Sequence, residues 1–274
     1  KTVQGLESRV SSDVVLATLG ATSICNSITI MKLNFWHRLC VCKHSFTRFI
    51  FLYRLASYIL HPVDHLGFVS DIMSIVAEHN VLKEYVDGFV KSGQIIQKRI
   101  FKNIVKGQIR LKEEESWKNR VKANSNLVIF QHIHQNIKPC FAWQIGLKFP
   151  KYTWSLGNLI NLATDPSYKM YRCNSCHRLC ERIIVHYLQC EYFSMHRNIF
   201  FEKLIDHLPI SVGVNLFNLD DEKLTHTLLG SRSDLFLDDL MFEQFIIMCS
   251  VSLFDIKGFF RFVPQDSTTL EEYT

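Results

Sequence analysis

Between Cys173 and Cys190 the chain reads CNSCHRLCERIIVHYLQC, so four of its nine cysteines fall within 18 residues, with two histidines among them. Cys173 and Cys176 form a C-x2-C pair, a spacing that lets two thiolates on a tight turn face one ion. Nine residues separate Cys176 from His186, and three more separate His186 from Cys190. Residues four apart share a face of a helix. A turn offering two sulfurs and a helix offering a nitrogen and a sulfur would give a closed tetrahedral Cys3His set, the coordination of structural zinc. His177 and Cys180 compete as ligands. They rank lower because His177 would strain the loop it shares with Cys176, and Cys180 would leave the helix face unused. On the alternative reading Cys180 and Cys190 are small buried apolar residues and His186 is a surface residue beside Tyr187.

The cysteine count is odd and no signal-peptide pattern is visible, so the thiols are expected to be reduced, some as metal ligands and others as core fillers. An intracellular location, nucleus or cytoplasm, follows as an expectation. The sequence opens on Lys1 and is expected to be a fragment or processed piece of a longer chain. No apolar run is long enough to span a bilayer, because the most apolar stretch, FTRFIFLYRLASYIL (46–60), is interrupted by Arg48 and Arg54. No membrane is therefore expected among the partners.

The elements that must position the cluster read as helices nearly throughout, which predicts an all-α, multi-helical fold with a small zinc-binding Cys/His segment in its middle-to-C-terminal part. With 47% apolar and 21% charged residues the chain can bury a core, and 11 Gly with 6 Pro disfavour a turn-rich β fold. Ser12 and Asp13 look like a helix start and Gly20 its stop. Further helices are expected through SITIMKLNFWHRLCV, through 46–60 as far as His61–Pro62, through DIMSIVAEH capped by Ser70, and through VLKEYVDGFVK. A longer one near 94–112 resumes in SWKNRVKAN after an acidic interruption. Pro139, Pro150 and Pro166 divide the middle, with WSLGNLINLA helical between the last two. A helix then grows out of the cluster through YLQCEYFSMHRNIFFEKLIDHL, followed by LDDEKLTHTLL and a long apolar helix from about Leu237 to Phe260. The final residues are expected to fray. Three segments result: a helical region with a basic stripe (1–135), short helices with the Cys/His segment (136–210), and acidic C-terminal helices (211–274).

Charge is unevenly distributed. Residues 91–122 hold ten Lys/Arg against three Glu, and residues 218–274 hold eleven Asp/Glu against four Lys/Arg. Lys98, Lys102, Lys106 and Arg110 recur every four residues and form one stripe, with Ile96, Ile100, Ile104 and Val105 opposite, and Phe101 and Ile109 nearby, as a core face. Like charges at this spacing repel, and a phosphate backbone would reverse the sign by neutralising them. Lys118, Arg120 and Lys122 could extend the patch, and Trp117 offers a face on which an unpaired base could stack. The competing description is a solvated helix face and a core tryptophan. The HIH at 132–134 is expected to be helix-end or loop chemistry, since its two histidines diverge on a helix. Asp220–Asp221 and Asp238–Asp239 read as helix caps. No Gly-rich phosphate loop, H-E-x-x-H or G-x-S-x-G pattern is present.

The run from Cys173 through EYFSMHRNIFFEKL resembles the C-terminal cysteine/histidine motif of non-LTR retrotransposon reverse transcriptases. In that motif the last cysteine precedes a polar/aromatic stretch, an arginine and an aromatic-rich helix, as Cys190, Arg197 and Phe200–Phe201 do here. SSDVVLATLGATSI, KLNFWHRLC and ESWKNRVKANSNLVIFQHIH are similar to the post-polymerase region of such reading frames from invertebrate genomes. The resemblance is diffuse over most of the chain and compact only at the Cys/His element. The family spaces its histidine and last cysteine as H-x4-C; here the spacing is H-x3-C, with Val185 where that histidine would fall. The paired-aspartate hairpin that carries the family's polymerase centre is not visible. The resemblance implies a non-enzymatic, nucleic-acid-binding region that holds RNA or DNA for an upstream reverse transcriptase domain, the parent polyprotein being an RNA-directed DNA polymerase. Structural zinc would be the cofactor. A protein-interaction scaffold and a degenerate, inactive copy are the alternatives.

Overall fold

The computed structural model describes residues 4–263 apart from 5, 8–9, 63–66, 166–168, 232–233 and 237. Pro166, Leu237 and the C-terminal tail, on which sequence expectations were placed, lie outside these residues. Fourteen α-helices and one three-stranded sheet are present among the described residues. The chain is thus mostly helical, as expected, with a small sheet that the all-α expectation lacks. It divides into two compact units, 22–116 and the combination of 1–21 with 117–274.

The first helix, α1 (Ser12–Thr18), belongs to the larger unit and is capped by Ser11, whose hydroxyl accepts from the Asp13 N–H. The unit 22–116 follows with α2 (Ile24–Cys40), α3 (Ser45–Leu60), α4 (Phe68–Ala77), α5 (Asn80–Ser92) and most of α6 (Lys98–Ala123). In α2 the buried residues are Leu33, Trp36, His37 and Cys40, the three-and-four spacing of a single helix face. They meet Phe51 and Leu55 of α3, Ile72 and Val76 of α4, Leu82, Val86 and Phe89 of α5, and Phe101, Val105 and Ile109 of α6. Trp36 packs edge-on to Phe89 at 5.6 Å, and His37 stacks on Phe101 at 4.7 Å. Burial pushes the Cys40 thiol up to about 12, so this cysteine serves as a small apolar residue. Helix α3 stops at His61, before Pro62, as the sequence suggested.

Three expectations within these helices need correction. Helix α4 starts one turn earlier than Ser70 implied, behind Gly67 at φ 115°. Helix α6 runs uninterrupted through Glu113–Glu115, because glutamate is a good helix former. The Glu113 carboxylate turns inward and accepts the Ser23 N–H at 2.7 Å, satisfying a backbone donor at the start of α2. Ile100 is exposed, and the core side of α6 is Phe101, Val105 and Ile109, with Ile96 and Ile104 partly covered.

The larger unit continues with α7 (Val128–Ile133), α8 (Phe141–Lys148), α9 (Thr153–Ala163), β1 (Met170–Cys173), β2 (Leu179–Cys180), α10 (Ile183–Gln189), α11 (Ser194–His207), α12 (Ile210–Phe217), α13 (Asp221–Leu228), α14 (Asp239–Ser252) and β3 (Phe260–Val263). Helix α9 is buried from Leu156 to Ala163, so it must be wrapped on all sides. Its polar Asn158 is accommodated by donating to the carbonyls of Leu253 and Phe254. The surrounding core draws on Ile183, Ile184 and Tyr187 of α10, Phe200 and Leu204 of α11, Leu216 of α12, and Phe242, Phe245 and Cys249 of α14. The expected long final helix ends at Ser252, and the chain then turns into β3, whose Phe260 faces in and Arg261 out. Four residues are too few for their period of two to show against the helical pattern before them.

A second, smaller core joins the N-terminal segment to this unit through Leu6, Val10, Val14, Ala17, Trp117, Val121, Leu127 and Phe130. Gly20 sits at φ 64° with its α-carbon so close to Pro139 that an added Cβ would lie 2.4 Å from the proline Cδ. His134 is buried there, its Nε2 3.0 Å from the Ala17 carbonyl. Burial holds the ring below its ordinary value of 6.5, despite that hydrogen bond. The unfolded chain therefore takes up a proton more readily than the folded one. His134's contribution to stability is complete above pH 6.5 and is lost as pH falls through the lower folded value. Urea unfolding of a His134→Gln variant should show a smaller loss of stability between about pH 7 and pH 5 than the native chain. An unchanged pH dependence would show that the ring is not what resists protonation.

Candidate metal centre

The sheet supplies the first half of the cluster. Its order is β2-β1-β3, antiparallel throughout, with Tyr171 opposite Cys180 and Arg172 opposite Leu179 on one side, and Arg172 opposite Arg261 and Cys173 opposite Phe260 on the other. The β1–β2 hairpin carries Cys173 at the end of its first strand and Cys176 in its turn. The turn closes with the His177 N–H donating to the Cys173 carbonyl at 2.9 Å and the Cys173 N–H donating to the Arg178 carbonyl at 3.0 Å. His177 is the one non-glycine residue at positive φ (60°) among the described residues. It takes up the left-handed bend the turn needs, and its side chain is exposed.

The second half comes from α10. The sequence suggested one helix running through Cys190, but the structure splits it. Helix α10 ends at Gln189, Cys190 is extended (φ −73°, ψ 122°), and α11 starts at Ser194. Arg197 accounts for the break. Its guanidinium donates to the carbonyl of Tyr187 in the last turn of α10 at 2.8 Å and to that of Cys190, which also accepts the Phe193 N–H at 3.1 Å, so one side chain braces both sides of the break. The extended backbone at Cys190 keeps its sulfur beside His186 while the chain departs in a new direction.

Cys173, Cys176, His186 and Cys190 converge so that one ligand atom from each lies within 4.8 Å of the others. Cys176 Sγ and His186 Nε2 lie 3.2 Å apart. Cys173 and Cys190 are buried, whereas Cys176 and His186 are partly exposed. The H-x3-C spacing therefore brings His186 to the cluster without a shift of register, and Val185 packs against the core instead. Neither alternative ligand joins the set. His177 is occupied with the turn, and burial pushes the Cys180 thiol up to about 12.

The electrostatics suit metal ligation. Burial opposes ionisation of Cys176. Hydrogen bonds from the Arg178 backbone, Cys173 and Cys190, with the Arg178 charge, outweigh it and lower its value. Burial, helped by Arg178, holds the His186 ring low, so its lone pair is available. Burial and the neighbouring Cys176 raise Cys190. The Cys176 N–H also points at Cys173 Sγ, 3.5 Å away. Phe193 packs on Phe259 and Phe260, and Phe260 stands edge-on to His186 at 5.7 Å, so one flank of the cluster is apolar. Tetrahedral coordination at bond lengths of about 2.0–2.3 Å requires ligand atoms roughly 3.3–3.8 Å apart. The four ligand atoms, all within 4.8 Å of one another, could hold a metal ion.

The other sequence candidates fare unequally. Lys98, Lys102 and Lys106 are exposed along one side of α6, and Arg110 is partly exposed. Lys118 and Lys122 are exposed as well. Trp117 is not a stacking platform. It is 3% exposed, and its indole N–H donates to the Asp13 carbonyl at 3.1 Å. Its apolar bulk won the competition for the core. Arg120 is committed to an ion pair with Asp13 at 2.8 Å. Asp220 and Asp238 are helix caps, accepting from the N–H groups of Lys223 at 2.8 Å and Met241 at 2.6 Å. Arg172, Arg178 and Arg261, exposed around the hairpin, escaped the sequence reading. Only the pairing of β1 with β3 reveals that Arg172 and Arg261 stand side by side.

No family model, curated protein or solved structure matches this chain. No helix among the described residues is long and apolar enough to cross a membrane.

Proposed function

We propose that the chain is a nucleic-acid-binding region of the kind that follows the polymerase in non-LTR reverse transcriptases, stapled by one structural zinc ion. In this reading it holds template RNA or target DNA for an upstream reverse transcriptase domain and performs no catalysis itself. The observation that carries it is the convergence of Cys173, Cys176, His186 and Cys190, the residues on which the resemblance rests, with Arg197 holding the break that follows. Zinc fits the donor set, because three thiolates and an imidazole in closed tetrahedral array are its preferred structural coordination. When bound it would cross-link the β1–β2 turn to the end of α10.

Two exposed basic features support the nucleic-acid reading. Arg172 and Arg261 are paired across the sheet, where like charges disfavour each other unless an anion lies between them. The exposed Lys98, Lys102 and Lys106 repeat that situation along α6, and the partly exposed Arg110 continues the stripe. Replacing these four residues with glutamine should weaken binding of labelled RNA and DNA alike. It should also flatten the log–log salt dependence by about 3 if all four meet phosphates. Unchanged affinity and salt slope would remove the stripe from the binding face.

A protein-interaction scaffold is favoured by one observation, the exposed Phe46, Phe49, Tyr53 and Leu60 of α3. Association through such a face would persist at high salt, whereas polyanion binding would fall steeply.

A further inference from the structure

His132 was set aside in the sequence because its neighbour His134 diverges from it. The fold gives it different company. Helix α7 packs against α13, and there the His132 ring lies parallel to that of His226, with centroids 4.4 Å apart and planes 13° from each other. Glu222 precedes His226 by four residues on α13, so both side chains leave the same face of the helix. One ring nitrogen from each histidine and a Glu222 carboxylate oxygen lie within 4.8 Å of one another. His132 and Glu222 are exposed and His226 is half-buried, so the group opens to solvent.

We propose that His132, Glu222 and His226 form a second metal site, distinct from the cysteine cluster, that takes a zinc-class divalent cation. Two imidazoles and one carboxylate suit zinc, cobalt or nickel. Calcium and magnesium prefer oxygen throughout. Three protein ligands leave one tetrahedral position for water, unlike the closed cysteine set. Binding requires the donors to stand about 3.4 Å from one another with both ring lone pairs aimed at one ion, an adjustment that rotation of the exposed His132 and Glu222 side chains can supply. The ion would tie α7 to α13; just beyond α13, the Ser231 hydroxyl already donates to the His132 carbonyl at 3.3 Å. This inference does not depend on the nucleic-acid reading.

Metal stoichiometry tests it on the full chain. Under saturating zinc the native chain should hold two equivalents, and His226→Ala should hold one. Cobalt separates the sites, because thiolate-to-cobalt charge transfer reports the cysteine cluster alone. That band should survive His226→Ala unchanged while the second cobalt equivalent disappears. His132→Gln and Glu222→Gln alter exposed positions and leave the core intact, so they serve should His226→Ala fail to fold. Each should lose the same equivalent while Cys173→Ser keeps it. If His132→Gln and Glu222→Gln bind as many equivalents as the native chain, with equal affinity, the second site does not exist.

Discussion

Replacing Cys173 with serine should remove the metal from the cysteine cluster and destabilise the larger unit by several kcal/mol. Structural zinc contributes roughly 10–16 kcal/mol in peptides that fold only around it. Here part of the hairpin's stability comes from the core, so the loss should be a fraction of that figure. Cys173 is fully buried at the end of β1, where it joins the turn hydrogen bonds to the pairing with β3. Thermal unfolding with and without a chelator provides the measurement. The native chain should unfold at lower temperature once chelated, and Cys173→Ser should already unfold low and respond to the chelator far less than the native chain does. A native chain indifferent to chelation, with the serine variant down by only about 1 kcal/mol as expected for a buried hydroxyl, would indicate a purely apolar role for the cysteines.

The second large effect is expected at Asp165 and Lys169, a buried ion pair four residues apart ahead of β1. Their charged ends lie 3.7 Å apart and both side chains are almost wholly buried. Tyr171 donates its hydroxyl to the same carboxylate at 2.7 Å. Burial raises the Asp165 carboxyl above its ordinary value even though Tyr171 and the nearby Lys257 and Lys169 act to lower it. Desolvation thus outweighs the attraction, so the pair adds little net stability to the fold. Asp165→Ala should cost about 3–5 kcal/mol, because it removes one partner of a buried ion pair. The double replacement Asp165→Leu, Lys169→Met should recover most of that loss. Urea unfolding of the two variants would decide. A single variant within about 1 kcal/mol of the native chain would show that water or neighbouring groups already solvate the lysine.

Much of the helical fold was legible because a helix face is a local property. Leu33, Trp36, His37 and Cys40 announce their helix by spacing alone, and His61–Pro62 announces the end of another. What the sequence hid depends on partners far along the chain. Trp117 is core because Asp13 and Phe130 meet it, and nothing around position 117 distinguishes it from an exposed aromatic residue. The break at Cys190 is made by Arg197, and β3 exists only because β1 lies beside it. The same division holds at the sites. The four ligands of the cysteine cluster lie within 18 residues and could be read by spacing. The apposition of His132 with His226 spans most of a hundred residues and could not.

The central claim, that these four residues form a zinc site with His186 as its nitrogen ligand, is tested most directly by elemental analysis of the purified chain beside its Cys173→Ser and His186→Ala variants. The account predicts that each variant holds one zinc equivalent fewer than the native chain, and that thiol reagents then reach cysteines that the metal had protected. Equal zinc in all three proteins, with the cluster's thiols equally reactive in each, would contradict it.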